Sequence, residues 1–321
     1  MRKILVLPLV VAALLVPSSV AATPVGRPVA LVTAETANEV IAVSLSPHGG
    51  RIVRRIHLVD PLMIAAPLHG PAVVVSPKGA VTLLALRSLR PIKVFHAFRS
   101  PKVAAIAPDG RLAYITDERT GDLSVIDLPH RRIVGRVFVG ALAHHFGISP
   151  DGSRIWVALG ESAKTIVRLD ASNPRKPRVI GRLRPRFGAH DVAFAPDGRT
   201  VLVTSPAGST VAAYSPGGRL LWYAGAGRGP GHVAFSRGSA LVSSGYGSSL
   251  DAFAWRSPSR APRVAAAPYG SFNLATYGGI VVTTSLFTGQ VSEFRVSDLH
   301  RLWTTKVAPA ARYVAISVWP R

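Results

Sequence analysis

Short runs of apolar residues, many of them rich in Val, Ile and Leu, alternate with polar turns along most of the chain. Each run is too short for a typical helix and is bounded by Gly, Pro, Asp or Ser, which is the pattern of a strand between turns. The 26 prolines also argue against long helices, because each one ends or kinks a helix. The pattern therefore predicts an all-β protein.

One strand pattern, with apolar first and fourth residues, recurs at intervals of 39 to 45 residues. Its seven copies begin at Val40, Val81, Leu123, Ile166, Val211, Leu250 and Val291. Each unit holds four short apolar runs, and a period near 42 residues with four strands is typical of propeller blades. We predict a seven-bladed β-propeller of four-stranded antiparallel blades, with strands named A to D outward from the axis.

Pro-Asp-Gly occurs at residues 108–110, 150–152 and 196–198, each time between two apolar runs. Pro and Gly suit a tight turn, so each copy predicts the hairpin that joins strands A and B of one blade.

The two ends of the chain share one blade in this scheme. Residues 28–34 are predicted as strand B, 38–43 as strand C and 51–58 as strand D, whereas 312–318 form a lone strand A. The C-terminal strand would therefore complete the N-terminal blade, and this closure protects edges that an open array would expose.

The first 22 residues have the pattern of an export signal. Arg2 and Lys3 precede an apolar run, and Ser19-Val20-Ala21 offers small residues for cleavage. We expect a signal peptide at 1–22 and one propeller domain at 23–321. No second apolar run reaches membrane length. We therefore expect an exported protein that is secreted, periplasmic or associated with the cell envelope.

Composition narrows the possible chemistry. The chain has no Cys, which excludes disulfide frameworks, cysteine-ligated zinc modules, cysteine enzymes and c-type haem attachment. It has 38 Lys plus Arg against 16 Asp plus Glu, a formal charge of +22, which favours an acidic partner.

Residues 103–140 carry the clearest copy of the repeat: a strand, Pro-Asp-Gly, then Tyr114-Ile115-Thr116-Asp117, a strand ending at Asp127, and a basic turn. This order resembles the YVTN-type (YncE-like) exported seven-bladed β-propellers, which are related to lactonase-like and WD-repeat propellers. The resemblance implies the fold over the whole mature chain. It implies little about function, because the repeat residues are turn and packing residues. Residues 211–227 separately resemble one repeat of quinone-dependent dehydrogenases.

The starts of the A strands should converge at one mouth of the central channel, which makes that mouth the candidate site. Alignment of the A strands places four histidines of consecutive blades there, at two neighbouring levels. The candidate ligand-binding residues are Lys102, His144, His190, Asp191, His232, Asn273 and Arg312, and His145 lies at the second level.

Three interpretations of this mouth compete. A metal ion could be held by His144, His190 and His232, with Asp191 as a further ligand, because imidazole and carboxylate suit zinc or iron. An anionic or polar ligand could instead bind the basic residues, since guanidinium groups recognise carboxylate and phosphate. The third interpretation is a polar lining of a wet channel. No organic cofactor is expected.

The C-to-D turns should form a basic face at the other end of the channel. Its best-marked residues are Arg131, Arg132, Arg175, Lys176 and Arg178. Such a face would attract an anionic envelope polymer or an anionic small molecule. Specific nucleic-acid recognition is not expected, because no aromatic interleaving or nucleic-acid motif accompanies the charge.

No convincing catalytic set is present, since only Asp60 and Asp191 are placed for the carboxylate chemistry of a lactonase. We expect a monomeric, non-catalytic binding or scaffold module of the cell envelope. The alternative is a propeller enzyme, either a lactonase-like hydrolase or a quinone- or metal-dependent oxidoreductase, with its site at the channel mouth.

Overall fold

The computed structural model describes residues 26–256 and 261–319. In this part of the chain, 28 strands form seven four-stranded sheets, and the one helical element is a single 3-10 turn at Glu35–Ala37. No helix of the described residues is long and apolar enough to cross a membrane. The predicted leader at 1–22 lies outside the described residues.

The strands follow in chain order from A to D in each blade, except in blade 1, where strand A comes last. Blade 1 contains β28 (Val314–Trp319), β1 (Arg27–Ala34), β2 (Glu39–Ser44) and β3 (Arg51–His57). Blade 2 contains β4 (Met63–Ala65), β5 (Ala72–Ser76), β6 (Ala80–Leu84) and β7 (Pro91–Phe95). Blade 3 contains β8 (Pro101–Ile106), β9 (Leu112–Asp117), β10 (Asp122–Asp127) and β11 (Arg132–Phe138). Blade 4 contains β12 (Phe146–Ile148), β13 (Arg154–Ala158), β14 (Ile166–Asp170) and β15 (Arg178–Leu183).

The remaining blades repeat the same order. Blade 5 contains β16 (Val192–Phe194), β17 (Val201–Ser205), β18 (Thr210–Tyr214) and β19 (Leu220–Gly225). Blade 6 contains β20 (Val233–Ser236), β21 (Ser239–Ser243), β22 (Ser249–Phe253) and β23 (Arg263–Ala266). Blade 7 contains β24 (Ser271–Tyr277), β25 (Ile280–Ser285), β26 (Gln290–Arg295) and β27 (Arg301–Lys306).

The seven A strands contact one another in ring order and surround the axis. All strand pairs inside the blades are antiparallel. Seven apolar clusters each lie between two neighbouring blades, so the core is a ring of interfaces and not one central mass. This arrangement confirms the predicted seven-bladed propeller.

The predicted closure is confirmed as well. β28 pairs with β1 from Val314 opposite Val32 to Trp319 opposite Arg27, so the two ends of the chain share blade 1. The ring is therefore closed by backbone hydrogen bonds.

The Pro-Asp-Gly copies form the A-to-B turns, as predicted. The three glycines adopt positive φ angles of 71°, 74° and 64°. The three aspartates each accept a hydrogen bond from the amide two residues later, at 2.9 to 3.0 Å. The motif thus stabilises a turn and takes no part in the channel mouth.

Candidate functional site at the channel mouth

Buried hydroxyl groups on five B strands hold the starts of the A strands. Thr204 is a clear example: its hydroxyl accepts a hydrogen bond from the amide of Asp191 at 3.1 Å and donates to the carbonyl of Gly231 in the next blade at 2.6 Å. Equivalent donors across a blade boundary are Thr33, Thr116, Ser243 and Thr284. Because each hydroxyl ties one blade to the next, the backbone of the mouth is fixed where the candidate side chains begin.

Four imidazole rings cluster on this backbone. His145 lies at their centre, with ring centroids 4.5 Å from His144, 4.6 Å from His190 and 4.7 Å from His232. The four histidines belong to blades 4, 5 and 6, and the structure places them together at the channel mouth.

The three histidines that can share one ion differ from the predicted set. One ring nitrogen from each of His145, His190 and His232 lies within 4.8 Å of the others. In the described residues this is the one group of three or more His, Asp or Glu side chains placed to hold a metal ion. His144 packs against His145 with the two rings tilted by 58°, and it lies outside that group. Blade 4 therefore contributes His145 to this group, and not His144 as predicted.

Asp191 lies between two of these rings. Its Oδ1 atom is 3.7 Å from Nδ1 of His145, and its Oδ2 atom is 3.7 Å from Nδ1 of His232. Its Oδ2 also accepts the amide of Val233 at 2.9 Å. The carboxylate therefore faces the Nδ1 side of both rings and leaves their Nε2 atoms for other partners, as carboxylates beside metal-bound histidines do.

The two Nε2 atoms are poorly satisfied. Among the residues that the structure describes, Nε2 of His232 is buried with no hydrogen-bond partner, and Nε2 of His145 contacts the hydroxyl of Tyr313 at 3.5 Å. Both imidazoles are almost fully buried. A buried polar atom without a partner is costly, so the cluster favours a ligand that these nitrogens can bind.

Burial also sets the protonation of the rings. Loss of solvation, together with the positive charge of neighbouring groups, lowers the pKa of His144 to about 3 and that of His145 well below its usual value. The pKa of His232 is lowered by burial too, although Asp191 opposes the shift. The imidazoles of these three residues are therefore neutral at pH 7, the form that binds metal ions.

Asn273, a predicted ligand-binding residue, has a structural role in blade 7. Its Oδ1 atom accepts the amide of Val314 in the next blade at 3.1 Å, as Oδ2 of Asp191 does for Val233. In blade 2, the Met63 sulfur accepts the amide of Ala104 in the same way at 3.3 Å. At this position of a blade, the side chain accepts a backbone amide of the next A strand and so joins the two strands.

The predicted cations of the mouth are paired with carboxylates from the B-to-C loops. Lys102 lies 3.1 Å from Glu118, and Arg312 lies 2.7 Å from Glu35. His190 lies 3.4 Å from Glu161 in the same manner. These three glutamates lie in B-to-C loops, which share the face of the D-to-A segments, so an alignment of the D-to-A segments alone does not reveal them. Their presence weakens the anionic-ligand interpretation of the mouth.

The hydrolytic interpretation loses support for a similar reason. Asp60 forms an ion pair with Lys78 at 2.6 Å, and Asp191 is engaged with Val233 and two histidines. Both carboxylates are therefore already engaged, Asp60 in an ion pair and Asp191 in contacts with a backbone amide and two imidazoles.

Below the histidines, a cavity of about 340 Å³ is bordered by residues of the A strands and by residues that immediately precede them, including His145, Asp191 and His232. Phe272 and Tyr313 line the mouth beside the histidines, and their ring centroids lie 5.3 and 5.2 Å from that of His232. Three half-exposed aromatic rings extend the wall outward, namely Tyr246, Tyr269 and Phe287. These three residues carry no recognisable signal in the sequence, since each is a single aromatic residue in a Gly- or Ser-rich connection.

The predicted basic face is exposed at the opposite end of the channel. Its residues lie in or beside the C-to-D turns of blades 3 and 4, and all have exposed side chains: Arg131, Arg132, Arg175, Lys176 and Arg178. Arg178 pairs with Asp170 at 2.7 Å, which leaves the other four as the more available cations.

Comparison with known proteins places the fold. Neither a family model nor a curated protein matches this sequence. A solved structure of a functionally unknown protein from Desulfotomaculum acetoxidans is similar over 91% of this chain and 99% of its own, with a TM-score of 0.76 and 17% identity. Hydrazine synthase of Kuenenia stuttgartiensis is similar over 74% of this chain and 77% of its own, with a TM-score of 0.63 and 17% identity. At this identity the likeness concerns architecture, and the chain is a seven-bladed β-propeller.

Proposed function

We propose that this propeller is a binding module for a divalent transition-metal ion, held at the channel mouth by His145, His190 and His232. The observation that carries the proposal is the convergence of one nitrogen from each ring within 4.8 Å. Neutral imidazole is a ligand for Zn²⁺, Cu²⁺, Ni²⁺ and Fe²⁺. An ion held at about 2 Å needs the three nitrogens closer together, so the proposal requires the rings to rotate about their side-chain bonds when the ion binds.

The surroundings support the same conclusion. Asp191 lies on the Nδ1 side of His145 and His232, where it can fix their orientation and raise their basicity as ligands. An ion would also satisfy the buried Nε2 atom of His232, which has no partner in the described residues.

A metal-dependent propeller enzyme is the second candidate function. Three histidine ligands leave one coordination position open, and an open position is typical of catalytic zinc sites. The cavity of about 340 Å³ is bordered by two of them, His145 and His232. Turnover of a lactone panel that requires added Zn²⁺ and is lost on His190→Ala would favour this enzyme over a module that only binds.

We also propose that the protein is exported and acts at the cell envelope, as a relative of the YVTN-type (YncE-like) propellers. The leader pattern at 1–22 and the motif at 103–140 support this part of the proposal. N-terminal sequencing of the protein secreted by its native host tests it, with a new terminus near residue 22 or 23 as the expected result.

The metal proposal is tested by equilibrium dialysis of metal-free protein against Zn²⁺, followed by elemental analysis. We expect one ion per chain in the wild type and in His130→Ala, because His130 is an exposed histidine paired with Asp127. His190→Ala should lose the ion. Zn²⁺ at about 100 times its dissociation constant should stabilise the wild type by about 2.7 kcal/mol. Binding of no stoichiometric ion, or equal loss in His130→Ala, would refute the proposal.

A further inference from the structure

Every C-to-D connection of the propeller carries an exposed arginine, either in the turn or as the first residue of the D strand. In blade order, these seven residues are Arg51, Arg87, Arg131, Arg175, Arg219, Arg256 and Arg301. Because each blade contributes one member from the same connection, the seven form a ring around the axis, which we call the arginine ring. It lies at the end of the channel opposite the histidines.

The positive charge of this ring is largely unopposed. The aspartates beside the same connections are already engaged, Asp127 with His130 at 2.9 Å, Asp170 with Arg178 at 2.7 Å and Asp298 with Arg295 at 3.0 Å. Within the part of the chain that the structure describes, the one ring member in an ion pair is Arg256, 3.8 Å from Asp197. Arg90, Arg132 and Lys176 add further exposed cations beside the ring.

The mouth face has no comparable ring. The D-to-A connections that leave blades 1, 3 and 6 contain no Lys or Arg. Two cations of that face, Lys102 and Arg312, are paired with Glu118 and Glu35. The even distribution of cations over all seven blades is therefore a property of the opposite face.

This distribution indicates the shape of the partner. Matching positions of a closed ring of blades lie near one plane, so a flat anionic surface can approach all seven arginines at once. A linear polyanion would contact only neighbouring members, and proteins that bind such chains arrange their cations along a groove. Among the described residues, none of these connections has an exposed aromatic side chain on which nucleic-acid bases could stack.

We propose that the arginine ring docks the protein on an anionic lipid bilayer, with the ring against the phosphate headgroups and the histidine mouth directed away from them. Guanidinium groups bind phosphate oxygens through charge-assisted hydrogen bonds. The negative potential of such a membrane attracts basic groups and decays within a Debye length, so cations in one plane act together.

This inference rests on the proposed envelope location and does not depend on the metal site, which lies at the other end of the channel. Sedimentation with vesicles tests it, using equal parts of phosphatidylglycerol and phosphatidylcholine against phosphatidylcholine alone. We expect the full chain to bind the anionic vesicles at low salt and to be released at about 1 M salt, where the Debye length is only about 3 Å. The apolar run at 1–22 is common to all variants, so it does not contribute to differences between them.

Two fourfold Gln variants divide the ring face into sectors. The first replaces residues of blades 3 and 4, namely Arg131, Arg132, Arg175 and Lys176. The second replaces residues of blades 1, 2 and 7, namely Arg51, Arg87, Arg90 and Arg301. Each should lower the partition coefficient onto anionic vesicles at least about tenfold, since a plane of lipid contacts both sectors.

The matched control removes the same charge from the mouth face, at Arg99, Arg184, Arg186 and Arg228, all of them exposed. It should leave the partition coefficient unchanged, because these residues lie on the face directed away from the lipid. Thermal unfolding checks that the three variants fold as the wild type does.

Three outcomes would overturn the proposal. The first is equal binding of the wild type to neutral and anionic vesicles. The second is equal weakening by the mouth-face control, since net charge and not the ring would then set the affinity. The third is weakening by only one sector of the ring face, which would indicate a linear polyanion. N-terminal sequencing tests the envelope location separately, so a failure of docking is distinguishable from a failure of export.

Discussion

The hydroxyl of Tyr313 lies 3.5 Å from Nε2 of His145, and both side chains are buried at the channel mouth. Tyr313 immediately precedes β28, the strand that closes the ring, whereas His145 immediately precedes β12 in blade 4. Closure of the propeller therefore places an aromatic hydroxyl against the central histidine of the candidate metal site.

Tyr313→Phe removes this hydroxyl and keeps the ring that packs against His232 and Phe272. We expect Zn²⁺ affinity to fall by about tenfold, since groups that contact metal ligands usually affect affinity by that amount or more. Isothermal titration calorimetry measures the change. Tyr214→Phe, at a buried tyrosine of blade 5, is the control and should leave affinity unchanged. Equal affinities for wild type and Tyr313→Phe would contradict this role.

Thr204→Val tests the hydroxyl relay, which is the set of hydrogen bonds by which B-strand hydroxyls join neighbouring blades at the channel mouth. The substitution keeps the shape of the side chain but removes both the acceptor for the Asp191 amide and the donor to the Gly231 carbonyl. Because these groups are buried, we expect a loss of about 1–3 kcal/mol in the free energy of unfolding, measured by urea denaturation.

The matched control is Thr210→Val on the neighbouring strand, where the hydroxyl donates only to the nearby carbonyl of Gly208. That variant should stay within about 0.5 kcal/mol of the wild type. Similar losses in the two variants would show that the relay does not stabilise the mouth.

The buried carboxyl group of Glu293 should make the free energy of unfolding depend on pH, independently of the histidines. It is 3% exposed on β26, opposite Trp303, and burial raises its pKa from 4.5 to about 7. The native state therefore holds a proton that the unfolded state releases, so this group makes stability fall as pH rises from about 4.5 to about 7.

Glu293→Gln mimics the protonated form and removes this dependence. The free energy of unfolding of the variant minus that of the wild type should be up to about 3 kcal/mol larger at pH 8 than at pH 4. Urea denaturation at both values measures the difference. Glu39→Gln, in a solvent-exposed ion pair with Arg55, is the control and should change by no more than about 1 kcal/mol at either pH. A difference that does not vary with pH would contradict the assignment.

The basic face predicts salt-sensitive binding of a polyanion. Replacing Arg131, Arg132, Arg175 and Lys176 with Gln should weaken polyphosphate binding at low salt by about tenfold or more and should flatten its salt dependence. The same number of substitutions on the mouth face, at Arg99, Arg184, Arg186 and Arg228, serves as the control. If both sets weaken binding equally, the affinity follows net charge and not the face.

Much of the fold could be predicted from the sequence because its signals are local. The strand pattern and the Pro-Asp-Gly turns repeat at a fixed period, and the lone strand at the C-terminus requires closure with the N-terminal strands. The propeller axis follows from that topology, so the four histidines could be assigned to one mouth.

The choice between His144 and His145 could not be predicted, because it depends on where each imidazole points and not on the position of the backbone. Aligned backbone positions are equivalent in the structure, since the hydroxyls of Thr116 and Thr204 donate to the carbonyls of the aligned residues His144 and Gly231. The converging group nevertheless takes His190 from the first level and His145 and His232 from the second. Glu118 and Glu161 were missed for a related reason, since loops remote in sequence meet on the same face.

The most direct test of the metal site is titration of Zn²⁺ into metal-free wild type, His145→Ala and His144→Ala, followed by calorimetry. The two variants remove adjacent imidazoles, but only His145 belongs to the group whose nitrogens converge. The metal-site proposal predicts one site per chain in the wild type and in His144→Ala, and at least about hundredfold weaker binding in His145→Ala. Binding that survives in His145→Ala and is lost in His144→Ala, or no stoichiometric binding in the wild type, would contradict it.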